Sequence, residues 1–396
     1  MKKMHMVSKA HLDPAWQWRW TEGLAEAIST FRVAADFCEE FDGYIFTHNE
    51  AVLYEWVEEH EPALFARIQK LVKEGKWAIM GGWYLQPDVV MTSGESIMSQ
   101  IELGLEYFEK KFGVRPKAAM NVDSFGHSRG LVQILKRYGF EGYVMGRYNK
   151  MSCDHIWEGF DGSQIHAYGL YSPYSSSDRN ARMKVTDEIE RAKEKDIDFC
   201  FWGIGNHGGG PSRINLIDLQ DLIKTSKDVE VCHSTLDAYF AEASKENLPV
   251  YKDSHKLSMV GCYTSMVLLK QANRRLENKI AMAEKMINYV DMVDGTDFDR
   301  EGLKNAKKAL AFNQFHDILP GSSIKAVEED ALKSFGYGED ITDKLSTKAF
   351  FKLCEGQKKA KDGEIPIMIF NPHPYEIEGE FDVNFMLQLQ NNTRAE

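Results

Sequence analysis

Short apolar runs alternate with longer amphipathic stretches across roughly the first 260 residues. The strand-like runs are Met4–Ser8, Tyr44–Thr47, Trp77–Met80, Ala118–Val122, Gly142–Met145, Gln164–Gly169, Phe199–Gly203 and Val229–Cys232, with Lys256–Val260 a further candidate. Between them Thr21–Glu39, Ala51–Glu74, Gly94–Lys111 and Arg129–Tyr138 carry apolar residues at three- and four-residue spacing, the period of a helix with one buried face. Ser93 has the chemistry of an N-cap, and Gly75 and Gly113 that of helix ends. Repeated strand–helix units predict an α/β fold with a mainly parallel sheet and right-handed crossovers. A barrel-like closure of seven or so strands over 1–262 is the expected arrangement.

Beyond that point the pattern becomes helical. Val267–Val290, Arg300–Phe312 and Ile324–Cys354 predict a three-helix bundle over 263–362. Ile365–Phe370 and Gly379–Phe385, joined by Asn371-Pro372-His373-Pro374, predict the first strands of a truncated β domain over 363–396.

The residues that follow the strand-like runs are unusually polar and aromatic. They are His11, Asp13 and Trp16; His48, Asn49 and Glu50; Trp83 and Tyr84; Asp123 and His127; Arg147; Tyr171; then Asn206 and His207. In a parallel α/β fold these C-terminal strand ends share one rim, where ligands bind.

A net charge of -12 argues against nucleic acid or an anionic membrane as the main partner. The six cysteines are scattered without paired spacing, as expected of free thiols in a reducing compartment. No run approaches the length of a membrane-spanning helix, and Met1–Lys9 has no signal-peptide core, so a cytoplasmic protein is expected.

In the extended run, His11 and Asp13 point to one side, and Pro14 stops the strand. Alone they are either half a metal site or a surface pair. Asp123 ends a buried strand, where a carboxylate needs a cation or several donors, or else caps the next helix. His316-Asp317 lies at a helix end, where the dipole alone would suit an imidazole. Together His11, Asp13, Asp123 and His316 form a nitrogen–oxygen set suited to a divalent ion such as Zn²⁺. Trp16 and Trp83 are candidates for stacking on sugar rings, and Arg147 and Asn49 for holding hydroxyls. Gly205–Pro211 lacks the spacing of a phosphate loop, so close backbone approach to a substrate is its better reading.

Three motifs in this order, His11-Leu12-Asp13-Pro14-Ala15-Trp16, Val122-Asp123-Ser124-Phe125-Gly126-His127-Ser128 and Gln314-Phe315-His316-Asp317, resemble glycoside hydrolase family 38, the class II α-mannosidases. The resemblance implies a parallel α/β barrel, a three-helix bundle and a β-sandwich region cut off after its first strands. It implies one zinc ion held by His11, Asp13, Asp123 and His316, with Asp123 also the nucleophile of a retaining mechanism. Trp16, Arg147 and Asp317 would contact a mannose-containing oligosaccharide, with Trp83, Tyr171 and Asn206 as further contacts. Where many family members carry an aspartate acid/base, this chain has Gly205-Asn206-His207. His207 is therefore the candidate acid/base, with Asp154 and Asp161 as alternatives. A metal-dependent polysaccharide deacetylase and a mannose-binding module are the competing functions; a homo-oligomer is compatible with either.

Overall fold

A computed structural model describes residues 2–147, 154–205, 207, 209–255, 258–361 and 363–384. Strands β1 (Lys2–Lys9), β2 (Phe46–Glu50) and β3 (Trp77–Trp83) alternate with helices α1 (Trp20–Glu40), α2 (Ala51–His60) and α3 (Pro62–Lys73). The predicted single helix over 51–74 is broken at Glu61, because Pro62 cannot continue a helix ladder but suits the first turn of a new one. Helix α4 (Gly94–Phe112) follows its signals closely: the Ser93 side chain accepts the Ser96 N–H, and Gly113 closes the helix.

Then come β4 (Ala118–Asn121), α5 (Leu131–Arg137), β5 (Gly142–Met145), β6 (Asp154–Glu158), β7 (Gln164–Gly169) and α6 (Ala181–Arg191). The α/β part ends with β8 (Ile197–Trp202), α7 (Arg213–Thr225), β9 (Val229–His233), α8 (Leu236–Glu242) and β10 (Val250–Tyr251).

The strands do not form one seven-membered ring. Among the described residues they form two five-stranded sheets, β3-β2-β1-β8 with β9 also on β1, and β10-β6-β7-β5-β4. Every pairing is parallel except β6 with β7. That pair is a hairpin the hydrophobic pattern did not reveal, closed where Gly159 N–H donates to Ser163 O at 2.8 Å. The sheets approach at β3 and β4. There the Trp83 indole N–H donates to Met120 O at 2.8 Å, a side-chain link in place of a strand ladder.

Helices α9 (Val267–Asp294), α10 (Arg300–Asn313) and α11 (Lys325–Cys354) pack together as expected. They are tied to the α/β part at several points. Gln100 Nε2 donates to Ala311 O at 2.7 Å, Asp88 N–H to Gln314 O at 2.8 Å, and Ile324 N–H to Trp16 O at 2.9 Å. The predicted strands Ile365–Phe370 and Gly379–Phe385 are not strands among the described residues. Ile365, Ile367, Ile369 and Phe381 stand exposed there, without the second layer a sheet face requires. The candidate strand Lys256–Val260 also fails: Val260–Thr264 is a 3₁₀ turn, and Lys256 and Leu257 lie outside the described residues. The described cysteines, Cys38, Cys200, Cys232, Cys262 and Cys354, are free. Among the described residues no helix is long and apolar enough to cross a membrane.

Candidate metal centre and active site

Two strand ends and one helix joint converge. The chain leaving β1 delivers His11 and Asp13, the chain leaving β4 delivers Asp123, and the turn after α10 delivers His316 and Asp317. Close backbone packing makes this possible: a Cβ on Gly203, after β8, would lie 1.9 Å from Lys9 O, and one on Gly146, after β5, 1.8 Å from Val122 O. His11 Nε2 lies 2.9 Å from Asp13 Oδ1 and 3.5 Å from Asp123 Oδ2. His316 Nε2 lies 3.5 Å from Asp13 Oδ1 and 3.7 Å from both Asp123 Oδ2 and Asp317 Oδ2. Residues more than 300 positions apart in the chain thus share one buried cluster.

Close approach has not made hydrogen bonds of these contacts. His11 Nε2, Asp13 Oδ1 and His316 Nε2 are buried and without a hydrogen-bond partner, although they face one another. Nitrogen and oxygen atoms left unpaired in a buried site carry a desolvation cost unless something else satisfies them. A divalent cation among them would do so. His11, Asp123 and His316 form one possible ligand group, and Asp13, His316 and Asp317 an overlapping one. The donor set is two imidazoles with carboxylates, which suits zinc.

Electrostatics in the metal-free cluster follow from the same proximity. Burial opposes charge on His11, but the carboxylates of Asp13 and Asp123 prevail and raise it to about 9. Burial also opposes charge on Asp123, yet His11, His316 and Arg147 hold its carboxyl well below the usual range. Asp317 is pushed up, mainly by burial. Asp13 and Asp123 therefore stay ionised, the state a carboxylate ligand needs, while His11 and His316 must give up a proton when an ion binds.

The other candidates divide. The Arg147 guanidinium pairs with the Asp123 carboxylate and lies over the Phe125 ring. Arg147 has φ 45°, a strained backbone for a non-glycine residue. Asp317 accepts a hydrogen bond from Ser322, and half-buried Trp16 packs edge-on against Trp18. His207 is half-exposed, stacks on Trp18 with ring centroids 4.0 Å apart, and meets Glu22 through Nε2. Asn206 lies outside the described residues.

Two expected sugar contacts are not at the cluster. Trp83 is completely buried in the second sheet's core, so it has no face for a ligand. Tyr171 is 76% exposed and stacks under Arg191 instead. Three residues further on, Tyr174 takes the inner place, its ring 4.7 Å from that of His11. Of the alternative acids, Asp154 is engaged by His166, Lys195 and Tyr239, and Asp161 closes an exposed turn with Ser163.

Lys9 also escaped notice. Fully buried, it lies over the rings of Tyr174 and Phe201, and burial lowers it to about 8 against the pull of Glu50, Asp123 and Asp13. A lysine ending an apolar strand was the available signal. Gln86 was missed too; it contacts both halves of the cluster, and nothing in its sequence neighbourhood marks it.

Residues 1–257 match the profile described as glycosyl hydrolases family 38 N-terminal domain, and 259–353 match the alpha mannosidase middle domain. Alpha-mannosidase G of Dictyostelium discoideum is 29% identical over 347 residues, which span 83% of this chain and 31% of that protein. Alpha-mannosidase 2C1 of Mus musculus is 27% identical over 394 residues, spanning 94% of this chain and 37% of that protein. The chain therefore covers about a third of the length of these curated relatives. An alpha-mannosidase from Enterococcus faecalis V583 shares the fold, with a TM-score of 0.80 and 20% identity over 90% of this chain and 43% of that one.

Proposed function

The chain belongs to glycosyl hydrolase family 38, and from that premise we propose that it is the catalytic region of a zinc-dependent, retaining exo-α-mannosidase acting on mannose-containing oligosaccharides. Residues 1–262 would be the catalytic α/β domain and 263–362 the bundle. The observation that carries the reading is the set of unpaired, buried ligand atoms on His11, Asp13 and His316 beside Asp123. These four residues would hold the ion, which when bound supplies Lewis-acid interaction with sugar hydroxyls.

The protein's own groups account for the rest. His11 and His316, with Arg147 after them, keep the Asp123 carboxylate ionised, and the Arg147 guanidinium pairs with it, so that it is a nucleophile at neutral pH. One Asp123 oxygen would attack the anomeric carbon as the bond to the leaving oxygen breaks, giving a mannosyl ester. The leaving oxygen takes a proton from the acid, for which His207, beside Glu22, is the candidate. Water then attacks the same carbon, giving one of its own protons to that residue, now acting as base, as the ester bond to Asp123 breaks, with net retention. Trp16 and Asp317 would line the sugar's position. Scattered free cysteines support a cytoplasmic setting.

The test is trapping in the full-length enzyme. A 5-fluoro mannosyl reagent should leave a covalent adduct on Asp123, identified by peptide mass. An active enzyme with no adduct would remove the nucleophile assignment and favour a metal-bound water, the deacetylase mechanism. Mannose binding without cleavage of any linkage would leave a lectin.

A further inference from the structure

Gln86 lies on the irregular stretch after β3 and is 1% exposed. Its side-chain amide joins two strand ends: Nε2 donates to Glu50 Oε1, at the end of β2, and Oε1 accepts the Val122 N–H at 3.0 Å. Val122 immediately precedes Asp123. The two partners allow one orientation of the amide, since a carboxylate must receive a proton and a backbone N–H must give one. Glu50 Oε1 also accepts from Asn49 Nδ2 at 2.7 Å, and His48 Nε2 lies 2.8 Å from Oε2.

The backbone of the same residue reaches the bundle. Gln86 O accepts from His316 Nδ1 at 3.3 Å and from the His316 backbone N–H at 3.3 Å. A proton on Nδ1 leaves Nε2 as the lone-pair nitrogen, and Nε2 is the atom facing Asp13 and Asp123. One residue therefore sets the tautomer of one ligand and the backbone position of another.

We infer that Gln86 is the positioning residue of this centre, holding Asp123 through its amide and His316 through its carbonyl. The inference rests on reading His11, Asp13, Asp123 and His316 as metal ligands. It also separates two effects: a side-chain substitution releases Val122 and Glu50, whereas the His316 contact, made by backbone, stays.

The test uses cobalt(II) in the 396-residue chain, read by ligand-field absorption and by competition against a chelator. Gln86→Met keeps volume but loses both amide bonds. It should lower cobalt affinity about ten- to a hundredfold and change the absorption spectrum. Gln86→Glu is the rescue: sharing one proton with Glu50, its acid group can donate there and accept from Val122, so the wild-type spectrum should return. Gln100→Leu is the control. It releases the same stretch from another side and also loosens α10, since Gln100 Oε1 accepts the Leu85 N–H at 3.2 Å and Nε2 donates to Ala311 O at 2.7 Å, while touching no ligand residue. It should lower Tm while leaving cobalt affinity and spectrum unchanged. Wild-type affinity and spectrum in Gln86→Met, or equal losses in Gln86→Met and Gln100→Leu, would overturn the inference. Failure of the wild-type chain to bind cobalt would instead defeat the metal reading itself.

Discussion

Two buried histidine clusters in this chain have opposite chemistry. His11 and His316 turn their Nε2 atoms toward Asp13 and Asp123, and no hydrogen bond satisfies either of those two atoms. His127, His155 and His255 gather instead among Tyr143, Trp157 and Tyr251. His127 is satisfied as a neutral ring, Nδ1 accepting from the Tyr143 hydroxyl at 2.9 Å and Nε2 donating to Gly146 O at 3.4 Å. Carboxylates raise His11 to about 9, whereas burial lowers His127 to about 4. Buried imidazoles do not by themselves make a functional centre. Several carboxylates converging on two imidazoles, where the other cluster offers aromatic rings and a backbone carbonyl, separate the candidate ligand site from a packed core.

The largest effect should break the first cluster at its most loaded residue. Asp123→Asn in the full-length enzyme should cost about 10⁴-fold or more in kcat, because the proposed mechanism makes one side chain both nucleophile and ligand. Activity within tenfold of wild type would end that double assignment. Next, chelation should lower Tm, since a metal at a hundred times its Kd contributes about 2.7 kcal/mol. His11→Ala should make Tm insensitive to chelator, while His127→Gln should keep the full chelator shift. If both variants respond alike, the two clusters are not chemically distinct.

The pH dependence sharpens the contrast. The unfolded chain protonates His127 near pH 6.5, but the folded protein not until about 4. Between those values the unfolded state binds more protons, so stability falls as pH drops, by about 1.4 kcal/mol per unit. His127→Gln should reduce that slope by about one proton in a series of denaturation curves. Metal-free His11 has the opposite sign: its contribution is present below about pH 6.5 and is lost as pH rises through about 9. The smallest effect is at Tyr171, whose replacement by Ala should leave stability within about 0.5 kcal/mol. Tyr174→Ala, beside His11, should lower kcat/KM; equal kinetic losses at both positions would undo the distinction between them.

How much was legible follows from how local each signal is. Helices α4, α9, α10 and α11 were readable because a 3.6-residue period and capping residues are properties of contiguous sequence. His11, Asp13, Asp123 and His316 could be nominated because each sits where an apolar run or helix stops. The hairpin β6–β7 was missed because the chain between Asp154 and Glu158 mixes polar and apolar residues without a clean strand signature. Trp83 and Tyr171 were misplaced for one reason: composition marks an aromatic, but only packing decides whether its face is buried in a core, stacked on an arginine or open to a ligand.

By itself, then, the sequence determined the alternation of strands and helices in the first part, the three-helix segment and the chemical type of the candidate ligands, because these depend on residue identity and short-range periodicity. Only the tertiary structure decided that the strands divide into two sheets. It also decided that Tyr174 rather than Tyr171 stands beside His11, and that Gln86 spans Glu50, Val122 and His316. Those outcomes depend on distances between segments tens to hundreds of residues apart, which hydrogen-bond geometry and close packing settle and which no local pattern encodes.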